Sequence, residues 1–309
     1  MRPPFLIAFD ITRRCNLRCL HCYNDSGAGD GDMNAREIET AVEKIIRLKP
    51  MQICLCGGEP LLSPFLFDII AKIRPKVRNL MMVSNGFLID WNMAKRLVNA
   101  GIDSLQISLD GAFSWQHDSF RGVGGSFYHA VSAIKNLKRA GMKTVSVAII
   151  INKMNCSSIG DFLSLCAEIG ADAVHIMQML PLGRGKDAVT NLSLSDEEIF
   201  RFCREMARLK PIYEGKMSVE WKDPVGSSQF IFNRGQKLNA PFSLAIRSNG
   251  KVLIDPYLPF DVGNILDADW KTELSHRLNL LWSDEKMTAE LSRLCNLYDF
   301  ANFSCGDVL

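Results

Sequence analysis

The stretch that decides the fold of this chain is Cys15-Asn-Leu-Arg-Cys19-Leu-His-Cys22-Tyr23, which follows the first apolar run. Its three cysteines have the spacing C-x3-C-x2-C, so three thiolates within eight residues can reach one metal centre. A structural zinc ion needs a fourth ligand, and the local candidate is His21, which adjoins a cysteine already used as a ligand. An iron–sulfur cubane usually takes four cysteines, so three would leave one iron open to bind another group. The spacing indicates a metal site and favours the cubane.

The bulk properties of the chain are those of an ordinary globular protein. Of its 309 residues, 47% are hydrophobic and 23% are charged, and the formal net charge is +2. So small a charge gives no support to nucleic-acid binding. The sequence has no apolar run approaching the roughly 18 residues of a membrane span, and its start does not resemble a signal peptide. Ten scattered cysteines differ from a disulfide framework, so we expect a reducing, cytoplasmic location.

Residues 5–177 alternate short apolar runs with amphipathic segments. We predict strands over six of these runs: Phe5–Ile11, Gln52–Cys56, Leu80–Ser84, Ser104–Ser108, Thr144–Ile150 and Ala173–Met177. We predict helices between them, over residues 35–48, 65–73, 91–99, 127–139 and 158–168. Asn34 and Glu37 suit a capping box at the start of the first helix. Three later helices are each followed by a glycine that favours a left-handed cap: Gly101, Gly141 and Gly170.

This alternation predicts an α/β fold. Repeated β–α units make the strands parallel, with right-handed crossovers. Near-continuous apolar strands such as Val145–Ile151 indicate that both faces of the sheet are covered. Six repeats suit either a partial barrel or a doubly wound sheet, and the residues alone leave this choice open. In both architectures, ligands bind at the carboxyl ends of the strands.

Glycine-rich and polar motifs follow the predicted strands in turn. The motifs after the second, third, fourth and fifth predicted strands are, in order, Gly57-Gly58-Glu59-Pro60, Ser84-Asn85-Gly86, Ser108-Leu109-Asp110-Gly111 and Asn152. Arg121-Gly122 lies between the fourth and fifth predicted strands. With Phe9–Arg14 and the three cysteines, this ordered set resembles the radical S-adenosylmethionine (radical SAM) superfamily from residue 5 to about residue 185. The resemblance implies an open, partial (β/α)6 TIM-like barrel as the radical SAM core, over residues 1–215.

The resemblance also implies a ligand set. Cys15, Cys19 and Cys22 would hold one [4Fe–4S] cluster whose open iron chelates the methionine part of SAM; structural zinc or simple redox thiols are the alternatives. The residues implied to contact SAM are Gly57, Gly58, Glu59, Pro60, Ser84, Asn85, Ser108, Asp110, Arg121 and Asn152. Glycines let the backbone approach a ligand, and an arginine forms a charge-assisted pair with a carboxylate. Simple turns, and a surface salt bridge for Arg121, are the alternatives.

Cys56 precedes the glycine motif and shares a strand face with Cys54. It is a candidate hydrogen-atom donor to a substrate radical, although a buried thiol more commonly serves as a small hydrophobe. The sequence assigns no other catalytic residue. His21 suits packing near the cluster, and three residues are candidates for lining a substrate cavity: His117, Trp115 and Tyr128.

The chain after residue 215 resembles the C-terminal extension called SPASM or twitch, over residues 216–309. We predict short antiparallel strands over residues 216–254, with a hairpin turn at 248–251, and helices over about 195–210, 270–281 and 284–294. In such extensions, cysteines around the hairpin usually hold auxiliary clusters. Here Asp255 stands at one of those positions, and only Cys295 and Cys305 remain of the terminal cysteine run. We expect a SPASM-like fold without an auxiliary cluster.

The resemblance implies an enzyme that reductively cleaves SAM to a 5′-deoxyadenosyl radical, which abstracts a substrate hydrogen. The subset that the chain most resembles modifies ribosomally synthesised peptides. One alternative is an enzyme acting on a small molecule or tetrapyrrole, as in haem-type pathways; another is a non-catalytic iron–sulfur or zinc redox sensor. The expected partners are a peptide or small-molecule substrate and a reducing electron donor such as flavodoxin or ferredoxin, with no nucleic acid and no membrane.

Overall fold

The structure, a computed structural model, describes residues 2–238, 240–258, 260–285 and 289. Its strands are β1 (Leu6–Asp10), β2 (Gln52–Cys56), β3 (Asn79–Ser84), β4 (Ser104–Ser108), β5 (Thr144–Ile151), β6 (Ala173–Gln178), β7 (Ser218–Lys222), β8 (Ser243–Ile246), β9 (Lys251–Leu253) and β10 (Asp261–Asn264). Its α-helices are α1 (Ala35–Arg47), α2 (Leu66–Ile73), α3 (Trp91–Asn99), α4 (Ser114–Arg121), α5 (Ser126–Arg139), α6 (Ile159–Glu168), α7 (Gly185–Leu192), α8 (Asp196–Leu209), α9 (Pro224–Leu238) and α10 (Trp270–Ser283).

The predicted alternation of strands and helices is confirmed as far as β6. Each of the six predicted strands and the five predicted helices begins and ends within one residue of its expected bounds, and the structure adds α4, which was not predicted. The capping box of α1 is formed, because Asn34 Oδ1 accepts from Glu37 N at 3.1 Å and Glu37 Oε2 accepts from Asn34 N at 2.8 Å. The glycines after α3, α5 and α6 all have positive φ angles. Local capping chemistry therefore fixed these helix ends.

The first compact unit is formed by the described residues within 1–16, 26–82 and 224–309. Its strands lie in the order β10-β9-β8-β1-β2-β3, and β3 joins β2 through residues 79–82. β1 pairs in parallel with both β2 and β8, whereas β8, β9 and β10 pair antiparallel. Ile7 and Phe9 of β1 are fully buried, as are Ile53 and Leu55 of β2. Alternate residues of these strands therefore form the core of this unit.

The second compact unit comprises residues 17–25 and 83–223. Its strands lie in the order β4-β5-β6-β7, and all three pairings are parallel. Residues 145–149 of β5 are all buried, which agrees with the prediction that both faces of this strand are covered. Asp110 follows β4 directly, and Asn152 follows β5. The carboxyl ends of parallel strands therefore carry polar side chains in this unit.

The prediction of antiparallel strands over residues 216–254 is wrong for its first half. β7 pairs in parallel with β6, because α7 and α8 lie between the two strands and complete another crossover. Residues 224–238 form α9, whose glycines and serines weaken its helical signal. The hairpin prediction is confirmed, since β8 and β9 are antiparallel and Arg247 N donates to Lys251 O at 2.8 Å.

Two further predictions, a C-terminal helix and the division into domains, are not tested by the structure. The helix predicted over residues 284–294 falls largely outside the described residues, as do Cys295 and Cys305. The two compact units interleave along the sequence, so they do not coincide with residues 1–215 and 216–309. The division into a core and an extension stays a prediction.

Candidate metal and cofactor site

The backbone that leads into Cys15 is held by the glycine motif. Gly58 N donates to Thr12 O at 2.8 Å, and Glu59 N donates to Arg14 O at 2.8 Å. A Cβ atom on Gly58 would overlap the carbonyl oxygen of Arg14, so only glycine allows this approach. The motif after β2 therefore positions the segment that carries the first cysteine.

The same motif is rigid in its own right. Gly57 has a φ of 124°, and a Cβ atom there would overlap Thr12 O. Glu59 is fully buried, and its Oε1 accepts from Leu61 N at 3.2 Å, which caps a short 3-10 turn beginning at Pro60. The structure thus explains these residues by their packing on the chain itself. Their contact with SAM stays a prediction.

Asp32 is a positioning residue that the sequence did not reveal. Its Oδ2 accepts from Thr12 Oγ1 at 2.5 Å, and its Oδ1 accepts from Arg13 N at 2.8 Å. Thr12 Oγ1 in turn accepts from Arg14 N at 3.0 Å. The carboxylate therefore closes the turn before the first cysteine. It lies about twenty residues away in sequence and outside any recognisable motif, so no sequence signal pointed to it.

Cys19 and Cys22 lie in the second unit, on a loop of residues 17–25 that we call the cysteine loop. The end of α4 holds one side of this loop, since Leu20 N donates to Phe120 O at 2.9 Å and Arg18 N donates to Arg121 O at 3.1 Å. His21 stacks on the ring of Phe120 with 4.2 Å between centroids. Burial holds the pKa of His21 well below its usual range, so the ring packs as a neutral group.

Arg184 holds the other side of the cysteine loop. Its backbone N donates to Cys22 O at 3.0 Å, and its Nε donates to Cys19 O at 3.0 Å. Its Nη1 also pairs with Asp25 at 2.6 Å. Gly183 before it has a φ of 53°, and a Cβ atom there would overlap Cys22 O. The sequence analysis assigned no role to Arg184, although an arginine between two glycines is a usable signal.

The side chain of Arg121 contacts the sulfur of Cys19 in the cysteine loop. Its Nε donates to Asp110 Oδ2 at 2.5 Å, and its Nη1 donates to Cys19 Sγ at 3.6 Å. Arg121 is 8% exposed and Asp110 is 1% exposed, which excludes the alternative of a surface salt bridge. Burial raises the pKa of Asp110 and that of Cys19, and the guanidinium opposes both changes. The structure therefore brings together three of the predicted site residues.

Asp110 itself is fixed from three directions. Its Oδ1 accepts from Ile150 N at 2.7 Å, and its carbonyl oxygen accepts from Asn155 Nδ2 at 2.9 Å. Its backbone N donates to His117 Nδ1 at 3.0 Å. Burial lowers the pKa of His117 to about 3, so the imidazole stays neutral and can accept this bond. His117 is thus buried behind Asp110, whereas the other candidate lining residues, Trp115 and Tyr128, are 58% and 67% exposed.

The remaining polar residues at the strand ends make local turns. Ser84 Oγ accepts from Gly86 N at 3.0 Å, and Asn85 Oδ1 accepts from Phe87 N at 2.9 Å. Asn152 Oδ1 accepts from Met154 N at 2.8 Å. Ser108 ends β4 and is partly buried. These bonds agree with the turn alternative, and SAM contacts by these four residues stay predictions.

Cys56 ends β2 as a partly buried thiol. Its Sγ donates to Cys54 O at 3.6 Å. This hydrogen bond and burial hold the pKa of Cys56 well above its ordinary value, so the sulfur keeps its proton at neutral pH. Both residues alternate with the buried Ile53 and Leu55, as expected for a shared strand face. A role for Cys56 as a hydrogen-atom donor stays a prediction.

Asp255 lies just after β9 and is buried. Its Oδ2 accepts from Ser228 Oγ at 2.9 Å, and its Oδ1 accepts from Tyr257 N at 2.7 Å and from Leu258 N at 3.2 Å. Burial raises its pKa, and these hydrogen bonds oppose the change. The carboxylate is therefore engaged as the anchor of a turn.

The chemistry of the three cysteines fits an iron–sulfur cluster. All three are free cysteines, whose thiolates are the soft ligands that iron–sulfur clusters take, and an arginine donates to one of them. Within residues 2–238, 240–258, 260–285 and 289, no group of three or more His, Cys, Asp and Glu side chains is placed to hold a metal ion. Ligation by Cys15, Cys19 and Cys22 together therefore stays a prediction.

A parallel α/β fold with polar side chains at the carboxyl ends of its strands is typical of proteins that bind a ligand at those ends. Residues 9–166, half of the chain, match the family described as the Radical SAM superfamily. The chain belongs to this superfamily, whose name implies SAM binding and whose members carry a [4Fe–4S] cluster. The resemblance drawn from the motifs is thereby confirmed.

Two curated relatives illustrate what the chain is similar to. It is 35% identical over 185 residues to pre-heme d1 synthase of Dinoroseobacter shibae, covering 59% of this chain and 45% of that protein. It is 31% identical over 190 residues to mycofactocin maturase MftC of Mycobacterium tuberculosis, covering 61% of this chain and 48% of that protein. The chain thus spans about half the length of these relatives.

Comparison with a solved structure confirms the α/β fold class. Streptococcus suis SuiB bound to precursor peptide SuiA superposes with a TM-score of 0.70 at 14% identity, covering 93% of this chain and 66% of SuiB. At this identity the likeness concerns the fold alone, and the SPASM-like extension stays a prediction. Among the described residues, no helix is long and apolar enough to cross a membrane.

Proposed function

We propose that this chain is a radical SAM enzyme that modifies a ribosomally synthesised peptide. The carrying observation is the buried contact of Arg121 with Cys19 Sγ, which joins a strand-end motif to the cysteine loop of a radical SAM superfamily member. When bound together and given one electron by a reducing donor, the cluster and SAM would supply a 5′-deoxyadenosyl radical able to remove a hydrogen atom from a substrate. The residues of the chain bind and orient these groups.

The proposed roles follow from the positions of the residues. Cys15, Cys19 and Cys22 would ligate the cluster through their thiolates. The N–H groups of Arg121 that its bonds to Asp110 and Cys19 leave unused would pair with the SAM carboxylate, because a guanidinium has five donors. The other predicted SAM contacts lie at the ends of β2, β3, β4 and β5: Gly57, Gly58, Glu59, Pro60, Ser84, Asn85, Ser108, Asp110 and Asn152.

Cleavage of SAM tests the enzyme proposal. The chain would be reconstituted anaerobically with iron and sulfide, reduced with dithionite and given SAM, and 5′-deoxyadenosine would be measured. We expect product from the wild-type chain and background levels from Cys15→Ala. Cys203→Ala is the matched control, because it removes an exposed thiol on α8 and should leave the yield unchanged. Equal yields from wild type and Cys15→Ala would contradict the proposal.

The peptide substrate is proposed from the similarity to mycofactocin maturase MftC, whose name describes maturation of a product. A tetrapyrrole substrate is the second candidate, because pre-heme d1 synthase is 35% identical over 185 residues. The two are separated by adding either a short peptide encoded beside the gene of this chain or an iron porphyrin with propionate side chains. We expect the peptide to raise the yield of 5′-deoxyadenosine and to change in mass. Stimulation by the porphyrin alone would favour the second candidate.

We further propose that the chain carries one cluster and takes electrons from a flavodoxin or ferredoxin. Asp255, the residue placed where extensions of this kind carry a cysteine, accepts three hydrogen bonds from its own neighbourhood. A carboxylate so engaged is a poor candidate for a second cluster. Iron analysis of the reconstituted chain should give about four irons per chain, and about eight would refute the single cluster.

A further inference from the structure

The guanidinium of Arg121 lies between a carboxylate and a sulfur atom. Its Nε donates to Asp110 Oδ2 at 2.5 Å, and its Nη1 donates to Cys19 Sγ at 3.6 Å. The second distance suits an N–H···S bond, because sulfur is larger than oxygen. All three residues are at least nine-tenths buried. A cation held in such surroundings acts strongly on the atoms that it touches, because water screens it little.

The arrangement is fixed by the backbone as well as by side chains. Arg121 is the last residue of α4, and its carbonyl oxygen accepts from Arg18 N at 3.1 Å. The residue whose side chain reaches Cys19 Sγ therefore also holds the cysteine loop. On the other side, Asp110 cannot turn away, because Ile150 N donates to its second carboxylate oxygen at 2.7 Å. The positively charged guanidinium of Arg121 is therefore held against Cys19 Sγ.

We propose that Arg121 sets the reduction potential of the cluster that Cys19 ligates, and that Asp110 is the positioning residue that keeps the guanidinium on the sulfur. This inference rests on the proposed function. A hydrogen bond from a cation stabilises a ligand sulfur more strongly when the cluster has gained an electron and become more negative. The contact therefore raises the potential and makes the cluster easier to reduce.

The test is a redox titration of the reconstituted chain, monitored by electron paramagnetic resonance, with iron content measured in parallel. Arg121→Gln removes the charge, and we expect the equilibrium constant for reduction to fall at least tenfold, which is about 59 mV for one electron. Arg121→Lys keeps the positive charge but lacks the planar guanidinium, and its reduction potential should lie between those of the wild type and Arg121→Gln. Asp110→Glu keeps the negative charge but displaces the guanidinium from the sulfur, so it should lower the potential in the same direction.

Arg184→Gln is the matched control, because Arg184 holds the same loop through the carbonyl oxygen of Cys19. The equilibrium constant for reduction of the cluster in this variant should stay within threefold of the wild-type value. Equal potentials for Arg121→Gln and wild type would overturn the inference, as would an equal shift in Arg184→Gln, which would assign the effect to loop distortion. Should Arg121→Gln retain no iron, Arg121→Lys and Asp110→Glu decide by the same criterion. A wild-type chain without a reducible cluster would overturn the proposed function first.

Discussion

Two buried aspartates, Asp110 after β4 and Asp255 after β9, have the same exposure and different surroundings. Each is 1% exposed and has its pKa raised by burial. Asp110 pairs with Arg121, which continues to a cysteine. Asp255 accepts only neutral donors among its named hydrogen bonds, from one hydroxyl and two backbone amides. A buried carboxylate can therefore either position a charge for chemistry or close a turn, and its partners distinguish the two roles.

The comparison predicts its largest effect at Asp110. Asp110→Ala leaves the guanidinium of Arg121 buried without its carboxylate, so the free energy of unfolding should fall by about 3–5 kcal/mol. Urea titration measures this change. Glu39→Gln, which removes an exposed ion pair with Lys72, is the control and should leave the urea midpoint nearly unchanged. A similar loss of stability in both variants would show that the buried ion pair contributes no more to folding than the exposed one.

A smaller loss is expected at the second aspartate. Asp255→Ala leaves three donors without their acceptor, and we expect a loss of about 2 kcal/mol of stability, since their neutral groups are cheaper to leave unpaired than a buried charge. The iron content of the reconstituted chain should remain that of the wild type. Loss of half of the iron in Asp255→Ala would instead make this residue a cluster ligand.

The pH dependence of stability should reveal the group behind Asp110. His117 is neutral in the folded chain because burial lowers its pKa to about 3, whereas an unfolded histidine gains a proton near pH 6.5. The unfolded chain binds more protons below about pH 6.5, so stability falls as the pH decreases through that value. From about pH 7.5 to about pH 5.5 the loss from His117 is about 1.4 kcal/mol.

His117→Asn is the variant that isolates this contribution, because the amide oxygen of asparagine can still accept from Asp110 N. Urea titrations of both chains at the two pH values give the difference. A pH dependence identical in wild type and His117→Asn would contradict the buried neutral imidazole.

The smallest effect is expected for Ser228→Ala, which removes one of the three donors to Asp255. We expect a loss of about 1 kcal/mol, because the two backbone amides still hold the carboxylate. Thermal unfolding measures it, with Asp255→Ala in the same series. A loss from Ser228→Ala as large as that from Asp255→Ala would mean that the hydroxyl alone carries the turn.

The sequence predicted those parts of the fold that depend on nearby residues. The capping box at Asn34 and the glycines after α3, α5 and α6 involve residues within one turn of each other, and they gave the helix ends. α9 escaped prediction because Gly226 and Gly235 lower its helical propensity. β7 was predicted to be an antiparallel strand, since an edge strand carries the same alternation in either direction.

The candidate site was predicted in its residue types but not in its pairings. The motifs placed Asp110 and Arg121 among the functional residues, yet the contact between Arg121 and Cys19 spans 102 residues of sequence and has no local signature. Asp32 and Arg184 bond to backbone atoms of other segments. Because any residue type offers these backbone atoms, the sequence of those segments carries no sign of the contact. Long-range contacts of this kind become visible only in three dimensions.

The grip of residues 183–185 on the cysteine loop has a consequence for engineering. Gly183 lies so close to the carbonyl oxygen of Cys22 that it tolerates no side chain, and Arg184 bonds the loop through its main chain and its guanidinium. The two segments therefore form one exchangeable part. A chimera that imports residues 17–25 from a relative must import the matching counterpart of residues 183–185 with them.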